Sequence, residues 1–83
     1  MKDNNSKHLV NLGIPDLINA KYGKMSKSQK KVADFILEHY DRAAFMTAEQ
    51  IGAETGVSES TVVRFASALG YQGFREFQKE LAQ

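Results

Sequence analysis

The sequence predicts an all-α fold, a compact bundle of about five short helices that contains a helix-turn-helix and no wing. Apolar residues in the second predicted helix recur at the 3.6-residue spacing of a helix. No segment has the character of a strand, because the β-branched pair Val62–Val63 lies inside a helical pattern. Residues that commonly cap helix starts precede three of the helical stretches: Ser26, Thr47 and Ser58.

The first predicted helix follows a polar N-terminal segment. We expect residues 1–13 to form a flexible tail and residues 14–83 to form one domain. Pro15 suits the first turn of a helix, because the N–H that proline lacks would have no helical partner there. Asp16 complements the positive end of the helix dipole, and the helix is predicted to end near Gly23.

The second predicted helix has the clearest pattern. Ser26 and Gln29 have the spacing of a capping box. The apolar stripe that follows repeats at i, i+3, i+4 and i+8 and predicts a face turned to the core: Val32, Phe35, Ile36 and Tyr40. The helix is expected to end or loosen around residues 40–42.

Three further helices are predicted. Thr47 and Gln50 repeat the capping-box spacing for a helix that runs to about Thr55. Ser58 caps the next helix, which runs to Leu69. The last helix carries apolar residues at i, i+3 and i+7: Phe74, Phe77 and Leu81.

The segment 48–67 has the features of a helix-turn-helix. Gly52 lies within a helix, where glycine costs about 1 kcal/mol relative to alanine, so we expect it to permit a close approach of two backbones. Gly56 directly follows the helix and suits a left-handed turn. The residues predicted to hold the motif together are Ile51, Gly52, Gly56, Val57, Val62 and Phe65.

The outward face of the second motif helix is predicted to enter the major groove of DNA. Small hydroxyl side chains allow close approach to bases and phosphates, and Arg64 can donate two hydrogen bonds to a guanine. Serine and threonine are weaker helix formers than the Glu and Lys that usually cover exposed helices, which favours a functional role. A solvated face with no function is the alternative. The face consists of Ser60, Thr61, Arg64 and Ser67.

Positive charge is concentrated in one segment although the formal net charge is only +1. Residues 17–33 contain five lysines and no acid. Such a patch can bind phosphate, or it can be a solvated lysine-rich face. For Tyr71, a partly buried position in the core is at least as good an explanation as a contact with phosphate. The predicted DNA-binding residues are Lys27, Ser28, Lys30, Lys31, Thr47, Ser58, Ser60, Thr61, Arg64, Ser67, Tyr71 and Gln72.

Composition argues against several other classes of protein. The 83 residues contain no cysteine, and no apolar run is long enough for a membrane span, so we expect a soluble, cytoplasmic protein. No phosphate-binding loop, metal-ligand spacing or nucleophile arrangement points to an enzyme, and no cofactor is expected. The alternative to DNA binding is a helical protein–protein interaction module, which a weak dependence on salt would reveal.

Three stretches together resemble the N-terminal DNA-binding domain of RpiR/MurR-type bacterial transcription regulators: S-x-x-Q-K-x-V-A-x-F-I, A-E-x-I-G-x-x-x-G-V-S-x-S-T-V-V-R-F and L-G-Y-x-G-F-x-E-F. The resemblance covers about residues 14–81, and Met25 stands where the family often has leucine. It implies control of sugar or phosphosugar metabolism genes. It also implies a homodimeric full-length protein, whose C-terminal sugar isomerase-like domain binds a phosphosugar effector. We expect that C-terminal domain to be absent from this chain.

Overall fold

Six α-helices and one short 3-10 helix form the part of the chain that a computed structural model describes, residues 13–83. The α-helices are α1 (Ile14–Lys21), α2 (Lys27–Glu38), α3 (Tyr40–Ala43), α4 (Ala48–Thr55), α5 (Glu59–Ala68) and α6 (Phe74–Leu81). The 3-10 helix, Tyr22–Lys24, follows α1. Residues 13–83 contain no strand, so the all-α prediction is confirmed. The predicted tail lies outside the described residues except for Gly13.

The structure has one more helix than the approximately five that the sequence predicts. Residue His39 leaves the helical backbone, with φ −129° and ψ 50°, and this ends α2 at Glu38. The chain then makes one separate helical turn, α3, before α4 begins. The break turns Ala43 and Ala44 into the core. Periodicity alone could locate the end of α2 but could not show that a new turn begins there.

Both predicted capping boxes are confirmed. In the first, the Gln29 N–H donates to Ser26 Oγ at 3.1 Å, and the Ser26 N–H donates to Gln29 Oε1 at 3.1 Å. Thr47 and Gln50 exchange the same pair of bonds, at 3.1 and 2.9 Å. Each box satisfies N–H groups that the first helical turn would otherwise leave unpaired, so α2 and α4 begin at defined residues.

The core draws side chains from all six helices. Phe65 of α5 and Phe77 of α6 meet edge to face, with ring centroids 5.9 Å apart. The fully buried large side chains are Ile18, Val32, Ile36, Ile51, Val62, Phe65 and Phe77. Gln78 of α6 also donates from Nε2 to the carbonyl of Met46 at 2.7 Å, which ties the last helix to the turn before α4.

The corner between α4 and α5 is a backbone-to-backbone contact. A Cβ atom added to Gly52 would lie 2.7 Å from the Val57 carbonyl oxygen, closer than real Cβ contacts allow. The N–H groups of Gly56 and Val57 both donate to the Gly52 carbonyl, at 2.8 and 3.0 Å. Gly56 has φ 78°, a left-handed conformation that side chains disfavour. The turn therefore lies directly on α4.

Replacing Gly52 with alanine should lower the free energy of unfolding by about 1–3 kcal/mol, because the added methyl group meets fixed backbone and α5 must shift. Chemical denaturation measures the change. Gly23→Ala is the matched control, since a Cβ there would meet no atom within 4 Å, and it should stay within about 0.5 kcal/mol of the parent chain. Equal stability of the two variants would contradict this account of the corner.

Candidate nucleic-acid interface

The two sides of α5 differ sharply in burial. Val62, Phe65, Ala66 and Leu69 are buried in the core. Ser60, Arg64 and Ser67 are exposed on the opposite side. Thr61 is half-buried rather than fully outward, because it lies one helical turn before Phe65 on the flank of the helix. The outer face of α5 is therefore a polar surface that the domain itself does not cover.

Three hydroxyl groups gather at the start of this face. Ser58 Oγ accepts the Thr61 N–H at 3.2 Å and caps α5. The same oxygen lies 3.1 Å from Ser60 Oγ and 3.0 Å from Thr61 Oγ1. These contacts fix the orientation of the hydroxyl groups beside the positive end of the helix dipole. The arrangement suits an anionic oxygen that accepts from a hydroxyl or an N–H group.

Arg64 is the cationic side chain of this face. Among the residues that the structure describes, it forms no ion pair, whereas Arg42 lies 3.4 Å from Glu54. An exposed, unpaired guanidinium can donate two parallel hydrogen bonds without first breaking an existing contact. Arg64 is thus the residue of α5 best suited to bind a base edge or a phosphate.

A shallow depression on the outer side of α5 contains a residue that the sequence patterns did not nominate. Its lining consists of Glu59, Ser60, Val63 and Arg64. Val63 is 37% exposed although it is aliphatic. The sequence spacing could have indicated this position, because Ser60, Val63 and Ser67 stand at i, i+3 and i+7 and so share one helix face.

The lysine-rich segment lies against the far end of α5. Lys21, Lys24 and Gln29 line a second depression together with Met25 and Ala68, the last residue of α5. Lys27, Ser28 and Lys31 are exposed on the first turns of α2. Lys30 makes a cation–π contact within the domain, since its Nζ lies 5.2 Å from the centroid of the Tyr22 ring. Lys21 and Lys24, which were not among the predicted contacts, line the depression at the C-terminal end of α5.

A corner built on Gly52 and Gly56, followed by a capped helix with a polar outer face, is the arrangement of a helix-turn-helix. The sequence model of the helix-turn-helix domain of the rpiR family matches residues 12–83. The chain belongs to the RpiR family.

Curated relatives of this RpiR-family chain are HTH-type transcriptional regulators. YfhH of Escherichia coli K12 is 39% identical over 66 residues, which cover 80% of this chain and 23% of the relative. HexR of the same strain is 38% identical over 72 residues, 87% of this chain and 25% of the relative. The chain thus spans about a quarter of the length of these proteins. No solved structure matches it.

Other predicted contacts of the RpiR-family domain differ in how accessible they are. The Thr47 hydroxyl is exposed and accepts from the Gln50 N–H, which leaves its own hydrogen available to a phosphate. Gln72 is exposed, but its N–H donates to the Glu76 carboxylate at 2.7 Å. Tyr71 packs on Phe77 with ring centroids 5.5 Å apart. These two residues lie beside acidic groups, which disfavour phosphate.

None of the helices in residues 13–83 is long and apolar enough to cross a membrane. In the same part of the chain, no three His, Asp or Glu side chains are grouped so that they could hold a metal ion.

Replacing Ser58 with alanine should lower the free energy of unfolding by about 1 kcal/mol, because α5 loses its cap. Ser58→Asp should keep most of the stability, since a carboxylate also accepts the Thr61 N–H. Ser67→Ala, on the same face but outside the cap, should change stability by less than about 0.5 kcal/mol. Thermal or urea unfolding of the three variants measures this order, and a stability loss in Ser67→Ala equal to that in Ser58→Ala would contradict it.

The Tyr71 hydroxyl should make stability fall at alkaline pH. Burial, and then the charges of Glu80, Tyr40 and Glu76, raise the pKa of Tyr71 above its ordinary value of 10.0. A raised pKa in the folded state means that this contribution is fully present below the unfolded pKa and is lost as pH rises through the folded one. Melting temperatures from pH 8 to 11 should therefore fall less steeply for Tyr71→Phe, which keeps the ring on Phe77. If melting temperature fell equally steeply with pH in the parent chain and in Tyr71→Phe, the Tyr71 hydroxyl would not be the cause.

Proposed function

We propose that residues 14–83 are the sequence-specific DNA-binding domain of a bacterial transcriptional regulator, with the motif 48–67 placing α5 in the major groove. The observation that carries this proposal is the outer face of α5, where Ser60, Arg64 and Ser67 are exposed and Arg64 is unpaired in the described residues. Membership of the RpiR family and the HTH-type regulators among the relatives support the same function.

In the proposed complex, sequence is read by Arg64 and position is set by contacts to phosphate. Arg64 donates two hydrogen bonds to O6 and N7 of a guanine. The hydroxyls of Ser58, Ser60 and Thr47 and the first N–H groups of α5 face backbone oxygens. The lysines of α2 add sequence-independent attraction at one side of the motif: Lys27, Lys30 and Lys31, beside Ser28. Tyr71 and Gln72 contribute least, because of their acidic neighbours.

The finer parts of the proposal concern the whole regulator. Family resemblance supports target genes of sugar or phosphosugar metabolism, a homodimer and a C-terminal sugar isomerase-like domain that binds a phosphosugar. A dimer would place two such domains on half-sites about one turn of DNA apart. A regulator of this kind acts on the chromosome and would therefore work in the cytoplasm.

Arg64→Ala should weaken binding to a selected operator by about 1–3 kcal/mol and leave binding to random duplex nearly unchanged, because only the specific complex uses the guanine contact. Lys31→Ala should weaken both by similar factors, since it removes one phosphate contact. Fluorescence anisotropy with an operator selected from a random pool and with a scrambled duplex measures both. Lys31 is preferable to Lys30, whose Nζ also lies on the Tyr22 ring.

A salt titration separates DNA binding from a protein–protein interaction. Affinity for duplex should fall steeply between about 50 and 200 mM salt through counterion release. Lys31→Ala should reduce the slope of log K against log salt concentration by about one.

Equal losses on operator and scrambled duplex for Arg64→Ala would show that Arg64 does not read sequence. The absence of any duplex binding at low salt would overturn the proposed function.

A further inference from the structure

The side chain of Val63 lies on the outer side of α5 and is only partly covered by the free domain. It is 37% exposed, while the adjacent Val62 is fully buried. Valine is also a weaker helix former than alanine, leucine or lysine, so an exposed helix position gains nothing from it. Among residues 13–83, Phe45 is the other exposed large hydrophobic residue; it is 84% exposed and lies in the turn before α4.

The surroundings of Val63 define what it can contact. It shares one depression with Glu59, Ser60 and Arg64, on the side of α5 that faces away from the core. Its two methyl groups are therefore flanked by a carboxylate, a hydroxyl and a guanidinium. A purely apolar partner surface would have to desolvate these three polar groups, which is unfavourable. A partner that presents a small apolar group among hydrogen-bonding groups fits better.

The edge of a base pair in the major groove has this character. Its groups are hydrogen-bond donors and acceptors, except for the 5-methyl group of thymine. We propose that Val63 determines specificity by packing against the 5-methyl group of a thymine next to the base pair that Arg64 reads. This inference rests on the proposed placement of α5 in the major groove. It assigns to the depression one apolar contact beside one guanine contact.

Single replacement of thymine by deoxyuridine tests the contact, because it removes the methyl group and leaves base pairing intact. An operator is selected from a random duplex pool with the full 83-residue chain, and each thymine is then replaced in turn. One replacement should weaken binding of the parent chain by about fourfold, the effect of exposing one methyl-sized group. The same replacement should not weaken the binding of Val63→Ala to the operator any further. Anisotropy at fixed salt gives the four dissociation constants of the cycle.

Phe45→Ala is the matched control, since it removes the other large hydrophobic side chain that is exposed in residues 13–83, and it should retain the full deoxyuridine penalty. Circular dichroism checks that Val63→Ala is folded, as expected for an exposed position. If every deoxyuridine penalty is the same in Val63→Ala as in the parent chain, or if no thymine methyl affects binding, the Val63 contact is overturned while DNA binding stands. If the parent chain binds no duplex, both this inference and the proposed function fail.

Discussion

The backbone contact at Gly52 is the constraint on which the rest of the molecule depends. Because the Val57 carbonyl occupies the space that a Cβ at position 52 would need, the turn is pressed onto α4. Two hydrogen bonds to the Gly52 carbonyl fix the turn from the other side. The start of α5 is thereby set by contacts between main-chain atoms. A recognition surface gains accuracy when its support is rigid.

The start of α5 uses the same hydroxyl groups for two purposes. Ser58 Oγ stabilises the helix by accepting the Thr61 N–H, and it also orders the hydroxyls of Ser60 and Thr61. Ordered groups lose less conformational entropy when they bind a partner. The energetic requirements of the free domain and of the proposed complex are therefore linked at Ser58, and a substitution there affects both. Arg64, one turn further along, takes no part in the cap.

Local interactions account for the features that could be predicted from the sequence. The capping boxes at Ser26 and Thr47 involve residues three positions apart, and the Gly56 turn is set within a few residues. The family motifs and the periodic core residues likewise gave the all-α fold and the outward face of α5. Such features are encoded in short segments, so one sequence suffices to find them.

The features that were missed depend on contacts between distant segments. Lys21 and Lys24 reach the end of α5 only through the packing of the segment before α2 against Ala68. The separate turn α3 follows from the backbone of His39, which no periodicity specifies. A residue far along the chain places Lys21 and Lys24, and the backbone conformation of one residue produces α3.

The contacts of α6 with α5 and with the turn before α4 mean that α4 and α5 do not form an independent unit. Phe77 supplies the ring against which Phe65 packs, and Gln78 holds the carbonyl of Met46. A segment made of residues 46–68 would leave the Phe65 ring without its Phe77 neighbour and the Met46 carbonyl without its Gln78 donor. Transplanting the recognition helix to another scaffold therefore requires a substitute for the last helix, even though that helix contributes no residue to the polar face of α5.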